Sequence, residues 1–419
     1  MEEKQSIDKK IYQFVFSENQ QEKDRLAQEI RQEAEKNGAR LASTDNIYRA
    51  FGSKKLSGFT VPAMNIRTLL YDTARIIFQI ARKNKVCPFI FEIARSEIKY
   101  TFQNPQEYAT CILAAAIAEN YQGLVFIQGD HYQFKRSVFL ETPEVEIDNL
   151  KKLIKESVVA GFYNIDIDAS TLVDLDQEKE IDQQKNNFKM TALLTEYIRK
   201  IQPAGINISI GGEIGHIGGK NSTVEEFEAF MTGYLSKIKN QRSNIKNYGI
   251  SKVSVQTGTS HGGIPLADGT IAKVDLDLSI LKEIGKVAQE IYHLGGTVQH
   301  GASTLPESLF DQFPKNNTVE IHLATGFQNT VYDHLPKNLK EKIYEWVKVN
   351  CVKEKKSDQT EEQFIYKTRK KAFGPFKKTL WYMTDAEKEL IRLALKKQFY
   401  LLFSKLNLFN TQDLISPYL

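Results

Sequence analysis

Short β-branched runs alternate with longer amphipathic stretches from residue 59 to about residue 330. The runs at 59–65, 87–92, 123–129, 163–168, 205–210, 252–257, 296–300 and 318–323 read as strands. Between them, apolar residues recur at helical spacing over 67–84, 106–120, 145–160, 186–202, 223–242, 277–294 and 304–313, and a further helix opens near Thr325. Eight strands, each followed by a helix within about 250 residues, predict a closed parallel (β/α)8 TIM barrel in an α/β chain. An open doubly wound sheet has the same alternation. However, no glycine fingerprint for a dinucleotide follows the first strand.

The flanks have a different texture. Residues 1–55 are rich in Glu, Gln, Lys and Arg, with Ile11, Phe14, Val15, Leu26 and Ile30 spaced for helices, and read as a helical N-terminal extension. The barrel is expected over 56–335. A second helical extension, 336–419, carries Trp346, Phe364, Trp381 and Phe399 and is expected to pack on the barrel or on a neighbouring subunit. Its aromatic content points to a homo-oligomer, a dimer or tetramer.

Composition narrows the partners. Lys+Arg exceed Asp+Glu by 56 to 52, and a net charge of +4 on 419 residues gives no basic footprint for nucleic acid. No apolar run is long enough to span a membrane, and the N-terminus lacks the apolar core of a signal peptide. Cys87, Cys111 and Cys351 are scattered and odd in number, which fits thiols in a reducing compartment and a cytoplasmic location.

Chemistry in such barrels gathers where strands end. Of the seven histidines, five (His131, His216, His261, His300 and His322) fall at or just after a predicted strand end. Three imidazoles with an open position describe a catalytic zinc site, and His131, His261 and His300 are the expected ligands. Any one histidine there could equally be a structural hydrogen-bonder. The pairs Gly211-Gly212, Gly218-Gly219 and Gly262-Gly263, with His300-Gly301-Ala302-Ser303, follow predicted strands and suit either tight turns or backbone approach to an anion.

These blocks resemble the class II fructose-bisphosphate aldolase family, which includes the tagatose-bisphosphate aldolases, over about 59 to 335. Ala63-Met64-Asn65 is similar to its Ala-Phe-Asn, and Glu97-Ile98-Lys99-Tyr100 to its segment after strand two. Gly129-Asp130-His131 is similar to its Asp-His pair, and Asp166-Ile167-Asp168-Ala169-Ser170 to its Ile-Asp-Gly-Ser. Glu213-Ile214-Gly215-His216-Ile217-Gly218-Gly219 is close to its Glu-Leu-Gly-x-Ile-Gly-Gly. Gly258-Thr259-Ser260-His261-Gly262 and His300-Gly301-Ala302-Ser303 resemble its second and third zinc-histidine motifs.

The resemblance implies one catalytic Zn²⁺ on His131, His261 and His300, with Glu213 an alternative ligand or a supporting group. It implies Asp130 as the acid/base, and Asn65, Gly219, Gly262, Gly301, Ser303 and Thr325 as substrate and phosphate contacts. The implied reaction is reversible aldol cleavage of a ketose (bis)phosphate such as fructose 1,6-bisphosphate through a metal-stabilised enediolate.

Departures from the family fall on substrate binding. Its strand-eight Asn-x-Asp-Thr stands here as His322-Leu323-Ala324-Thr325, its phosphate-binding Ser aligns with Ala94, and Lys220-Asn221-Ser222 occupies the place of its loop glutamate. Glu225, Glu226 and His322 are the candidates for the second proton transfer. Two other readings stay open: a non-catalytic barrel subunit related to tagatose-bisphosphate aldolase, and a metal-dependent sugar-phosphate isomerase. A Schiff-base mechanism needs a lysine inside the barrel. No predicted strand interior offers a convincing one, and Lys252 is expected at the entrance of its strand.

Overall fold

A computed structural model describes residues 6–215, 220–238, 249–258 and 276–419. Its strands are β1 (Ala39–Ala42), β2 (Val61–Asn65), β3 (Ile90–Ala94), β4 (Gly123–Gln133), β5 (Asn164–Asp168), β6 (Ser209–Glu213), β7 (Lys252–Val255), β8 (Thr297–Gln299) and β9 (Thr318–Leu323). Strands β2 to β9 pair in parallel around a ring that β4 and β5 close, which makes the eight-stranded (β/α)8 barrel.

Each of the eight expected strands overlaps one of β2 to β9; β3 lies two to three residues past the expected 87–92, β4 runs four residues past its expected end, and two further differences matter more. The stretch 205–210 is expected as a strand, yet β6 begins at Ser209 and runs through Gly211 and Gly212. Those glycines therefore lie inside a strand and do not form a turn after one. A Cβ on Gly211 would come 2.3 Å from Asp166 Oδ1 and 3.0 Å from Lys252 Cε, so the missing side chain makes room for that pair. The second difference is β1, which lies in a region expected to be wholly helical. It pairs with the first half of β4, from Ala39 opposite Gly123 to Ala42 opposite Phe126.

The N-terminal segment packs against the outside of the barrel and reaches its interior through one helix. Helix α1 (Ile7–Phe16) and helix α2 (Gln20–Lys36) bury Ile11, Phe14, Leu26 and Ile30. Helix α3 (Asp45–Gly52) follows β1, anchored where Thr44 N and Oγ1 donate to Asn164 Oδ1 at 2.8 and 2.9 Å. From α3, fully buried Tyr48 reaches into the barrel and hydrogen-bonds Glu320.

The C-terminal helices pack on the same chain's barrel. Lys388 and Arg392, on the helix Asp385–Lys405, both pair with Asp72 of α4 (Leu70–Lys83), at 3.1 and 2.7 Å. Thr60 N donates to Leu406 O at 3.1 Å, and Tyr12 of α1 donates to Trp381 O at 2.7 Å.

Inside the barrel the residues are charged. Strands alternate their side chains between faces. In β9, Val319, Ile321 and Leu323 are buried and apolar, while Glu320 and His322 occupy the other parity. The same alternation puts Glu92, Gln128, Asp166 and Lys252 inside. Lys252 is fully buried, with Nζ 2.7 Å from Gln128 Oε1, 3.0 Å from Asp166 and 2.5 Å from Glu320 Oε1. The expectation of no lysine in the interior is thus corrected. Its backbone is at the strand entrance, but four methylenes carry the ammonium inward. Burial opposes its charge, yet Asp166 and Glu320 outweigh burial and hold its pKa above the usual lysine value. A cation so held is no free-amine nucleophile.

Removing that ammonium leaves buried carboxylates uncompensated. Lys252→Met is expected to destabilise the fold by about 3–5 kcal/mol, read from urea unfolding. An unchanged midpoint would show that Asp166 and Glu320 do not depend on the lysine.

Candidate functional site

Strand β4 is 11 residues long, and its register against β5 slips between Gly129 and Tyr132. The slip is a bulge, and His131 sits at its centre with φ 41°. An L-residue pays for left-handed backbone, so the bulge has a consequence that offsets it. Consecutive strand residues normally point to opposite faces; here both Asp130 and His131 reach the same interior cluster.

His131 Nδ1 lies 3.1 Å from Asp168 Oδ2 and 3.3 Å from Glu213 Oε2. His300 follows β8 and places Nδ1 3.5 Å from Glu213 Oε1. The His131 and His300 rings are 4.2 Å apart, centroid to centroid. Their Nε2 atoms each lie 3.9 Å from the same Asp130 oxygen, Oδ1. Two donor sets result, Asp130 with His131 and His300, and His131 with Asp168 and Glu213, each with ligand atoms within 4.8 Å of one another. Imidazole nitrogens and carboxylate oxygens at such spacing suit a divalent transition metal. Asp130, Glu213 and His300 are buried, and His131 is partly open.

A third imidazole adjoins them. His322 stands 4.2 Å from His300, ring to ring. Its Nδ1 is 3.1 Å from Asp130 Oδ1 and 3.0 Å from Glu92 Oε2, and its Nε2 is 2.6 Å from Glu320 Oε1. The charges shape one another. Burial opposes ionisation of Asp130, but His131, His322 and His300 outweigh it and hold its carboxyl far below the usual range. Burial works against protonated His131 and His322 too, yet Asp130 with Glu213, and Glu92 with Asp130, raise both well above the ordinary imidazole value. His300 falls the other way, because burial is reinforced by its two cationic neighbours. Burial, helped by Asp130, pushes Glu92 up to about 8. Burial also leaves Asp166 raised to about 6, against the pull of Lys252.

The remaining expected residues are distributed around the mouth. Asn65 ends β2, is buried, and donates to Glu97, which in turn holds Arg67 at 2.7 Å. Gly301 has φ 70° and precedes the short turn Ala302–Thr304. Ser303 Oγ accepts from Ala324 N at 2.6 Å, so that hydroxyl ties the turn to the loop after β9. Thr325 is buried at the start of the helix Thr325–His334. His261, Gly219 and Gly262, with His216, lie outside the described residues. Lys220 is paired with Glu226 at 2.8 Å. A cavity of about 560 Å³ lined by Arg49, Lys54, Glu290 and His293 belongs to the opposite, N-terminal end of the barrel and holds none of this chemistry.

Sequence reasoning missed Glu92, Glu320 and the interior position of Lys252. Their signal was present, since each alternates with apolar residues in a predicted strand.

A family model for class-II fructose-bisphosphate aldolase matches residues 46–379. The chain belongs to the class II fructose-bisphosphate aldolase family. Solved structures similar to this chain include a fructose-bisphosphate aldolase from Campylobacter jejuni, 17% identical, with 89% of this chain and 97% of that one covered at a TM-score of 0.53. A probable tagatose 6 phosphate kinase from Sinorhizobium meliloti is 11% identical, with coverage of 83% and 100% and a TM-score of 0.62. A fructuronate-tagaturonate epimerase from Cohnella laeviribosi is 11% identical, with coverage of 84% and 82% and a TM-score of 0.57. No curated protein matches the sequence. At these identities the structures share the barrel fold with this chain, while the activities in their names differ.

Gly301 carries the turn that joins His300 to Ser303. Gly301→Ala is expected to cost about 1–2 kcal/mol, the left-handed penalty of an L-residue, seen as a lower denaturation midpoint. A neutral result would mean that the turn relaxes out of the left-handed region.

Proposed function

We propose that this protein is a zinc-dependent aldolase that cleaves and forms a carbon–carbon bond in a ketose (bis)phosphate such as fructose 1,6-bisphosphate. The observation that supports it most is the pairing of His131 and His300 at the end of the barrel strands, with one oxygen of Asp130 facing both Nε2 atoms and Glu213 facing both Nδ1 atoms. His131, His261 and His300 would hold the metal, with Glu213 an alternative ligand or a supporting group; the metal's chemistry would be to polarise a ketose carbonyl and take up developing negative charge. Family membership supports metal dependence of this kind.

Asp130 is the general base. Its buried carboxylate takes the proton of the hydroxyl on the carbon beyond the bond to be broken. The O–H pair becomes the carbonyl of the departing aldehyde, and the carbon–carbon pair stays with the ketose-derived fragment. In condensation Asp130 returns the proton. Asn65, Gly219, Gly262, Gly301, Ser303 and Thr325 are assigned to substrate and phosphate.

We place the enzyme in the cytoplasm. Cys87, Cys111 and Cys351 are buried and free, which fits a reducing compartment, and among the described residues no helix is long and apolar enough to cross a membrane. A homo-oligomer, dimer or tetramer, accords with Leu390, Leu393 and Tyr400 exposed on the helix Asp385–Lys405.

Purified protein is expected to carry about one zinc per chain, as three protein ligands and an open position require, and His131→Ala to lose it. Asp130→Asn should keep the metal and lose about 10²–10⁴-fold in kcat for retro-aldol cleavage, the range for a positioned base. A panel of ketose phosphates and bisphosphates supplies the assay. Stoichiometric metal without cleavage of any member would move the assignment to an isomerase or a supporting subunit. Folded wild-type protein that takes up no divalent metal would refute the proposal.

A further inference from the structure

The interior cluster holds one imidazole that the proposed mechanism does not use. His322 is 6% exposed, and Ala63 stands opposite it in the β2–β9 register, where a small side chain leaves space for the ring. Its two nitrogens face carboxylates on opposite sides: Asp130 and Glu92 at Nδ1, Glu320 at Nε2. Glu320 is itself fixed from three directions, by Lys252 Nζ at 2.5 Å, by Gln128 Nε2 at 2.9 Å and by the Tyr48 hydroxyl from the barrel floor.

We propose that His322 is the positioning residue for Asp130, a rigid link that transmits the fixed place of Glu320 to the carboxylate of the proposed base. The inference rests on the aldolase reading for what Asp130 does, but the arrangement can be tested apart from it.

The physical case begins with Asp130. A carboxylate acting as a base must present one oxygen to the substrate hydroxyl within hydrogen-bond reach, and small misplacements cost much of the rate. Asp130 lies in the bulge of β4, where pairing with β5 is interrupted although Ala94 of β3 still stands opposite it, so the backbone constrains it on one side only. All three imidazoles approach the same oxygen, Oδ1, but two of them at 3.9 Å, beyond hydrogen-bond distance. His322, at 3.1 Å, is the one of the three close enough to hold it. With Oδ1 occupied, Oδ2 is left for the substrate proton.

The second end matters as much. A ring anchored at one nitrogen alone can swing about its χ2, whereas a partner within hydrogen-bond distance at each end fixes the ring plane. Glu320 supplies that anchor at 2.6 Å, and Lys252 and Tyr48 remove its freedom in turn. A path of direct contacts therefore runs from α3 at the floor through Glu320 and His322 to Asp130. His322 touches the base and is not assigned contact with the reacting atoms, so its role is positional.

The test compares crystal structures and kinetics of zinc-loaded wild type, His322→Ala, His322→Asn and His322→Gln. In His322→Ala the Asp130 carboxylate is expected to leave its wild-type rotamer, and kcat for the best panel substrate to fall about 10-fold or more, a part of what a positioned base contributes, with KM within about threefold. Asn places a side-chain N–H near the Nδ1 position while Gln reaches toward Nε2, so His322→Asn is expected to recover most of the lost kcat and His322→Gln little of it. An Asp130 carboxylate unmoved in His322→Ala overturns the proposal whatever the activity. So does equal loss in His322→Asn and His322→Gln, or a loss confined to KM. Wild-type protein that cleaves no panel member refutes the aldolase reading instead, and the Asp130 rotamer then decides the positioning claim alone.

Discussion

One ammonium group, Lys252 Nζ, lies inside the barrel between Gln128, Asp166 and Glu320, and the polar interior is arranged around it. Glu92, Asp130, Asp166, Asp168, Glu213 and Glu320 are all buried there. Carboxylates removed from water keep their charge only beside a cation or a set of donors. Lys252 serves the lower part of the cluster and the imidazoles the upper part. Gly211 belongs to the same constraint, since any side chain there would displace the Asp166–Lys252 pair.

From that centre the two ends of the barrel become one system. At the floor, Tyr48 is carried in by α3, which exists where it does because β1 pairs alongside β4 and Thr44 binds Asn164. At the mouth, the bulge in β4 turns Asp130 and His131 together toward His300 and Glu213. The N-terminal segment is thus part of the architecture that shapes the interior. The C-terminal helices act on the outside, where Lys388 and Arg392 meet Asp72 on α4.

Much of the fold was legible because a barrel repeats one signal. Each β-branched run followed by an amphipathic stretch marks a unit, and eight such units admit few closures. The shift of β6 by four residues has a local cause: Gly211 and Gly212 read as following a strand, in a tight turn or beside an anion, yet they are strand residues that crowding keeps small. Strand β1 was hidden because four residues, Ala39 to Ala42, carry too short a pattern to separate from the helices beside them.

The candidate site divides the same way. Asp130, His131, Glu213 and His300 could be singled out from the chain itself, because polar residues at strand ends in a barrel have one place to go, and collinear motifs named the family. Which nitrogen faces which oxygen, and that His322 lies between Asp130 and Glu320, could not. Those relations join residues 130, 320 and 322 with Lys252 and Tyr48, which are remote in sequence and adjacent only after the sheet closes. Lys252 is the clearest case. Its sequence position specifies the start of a strand, while the direction of a flexible four-carbon side chain is chosen by the carboxylates that surround it in the closed barrel. The sequence by itself determined the barrel, the family and the residues at the strand ends; tertiary structure decided the interior charge network, because electrostatic partners inside a barrel come from opposite strands and no local pattern encodes their distance.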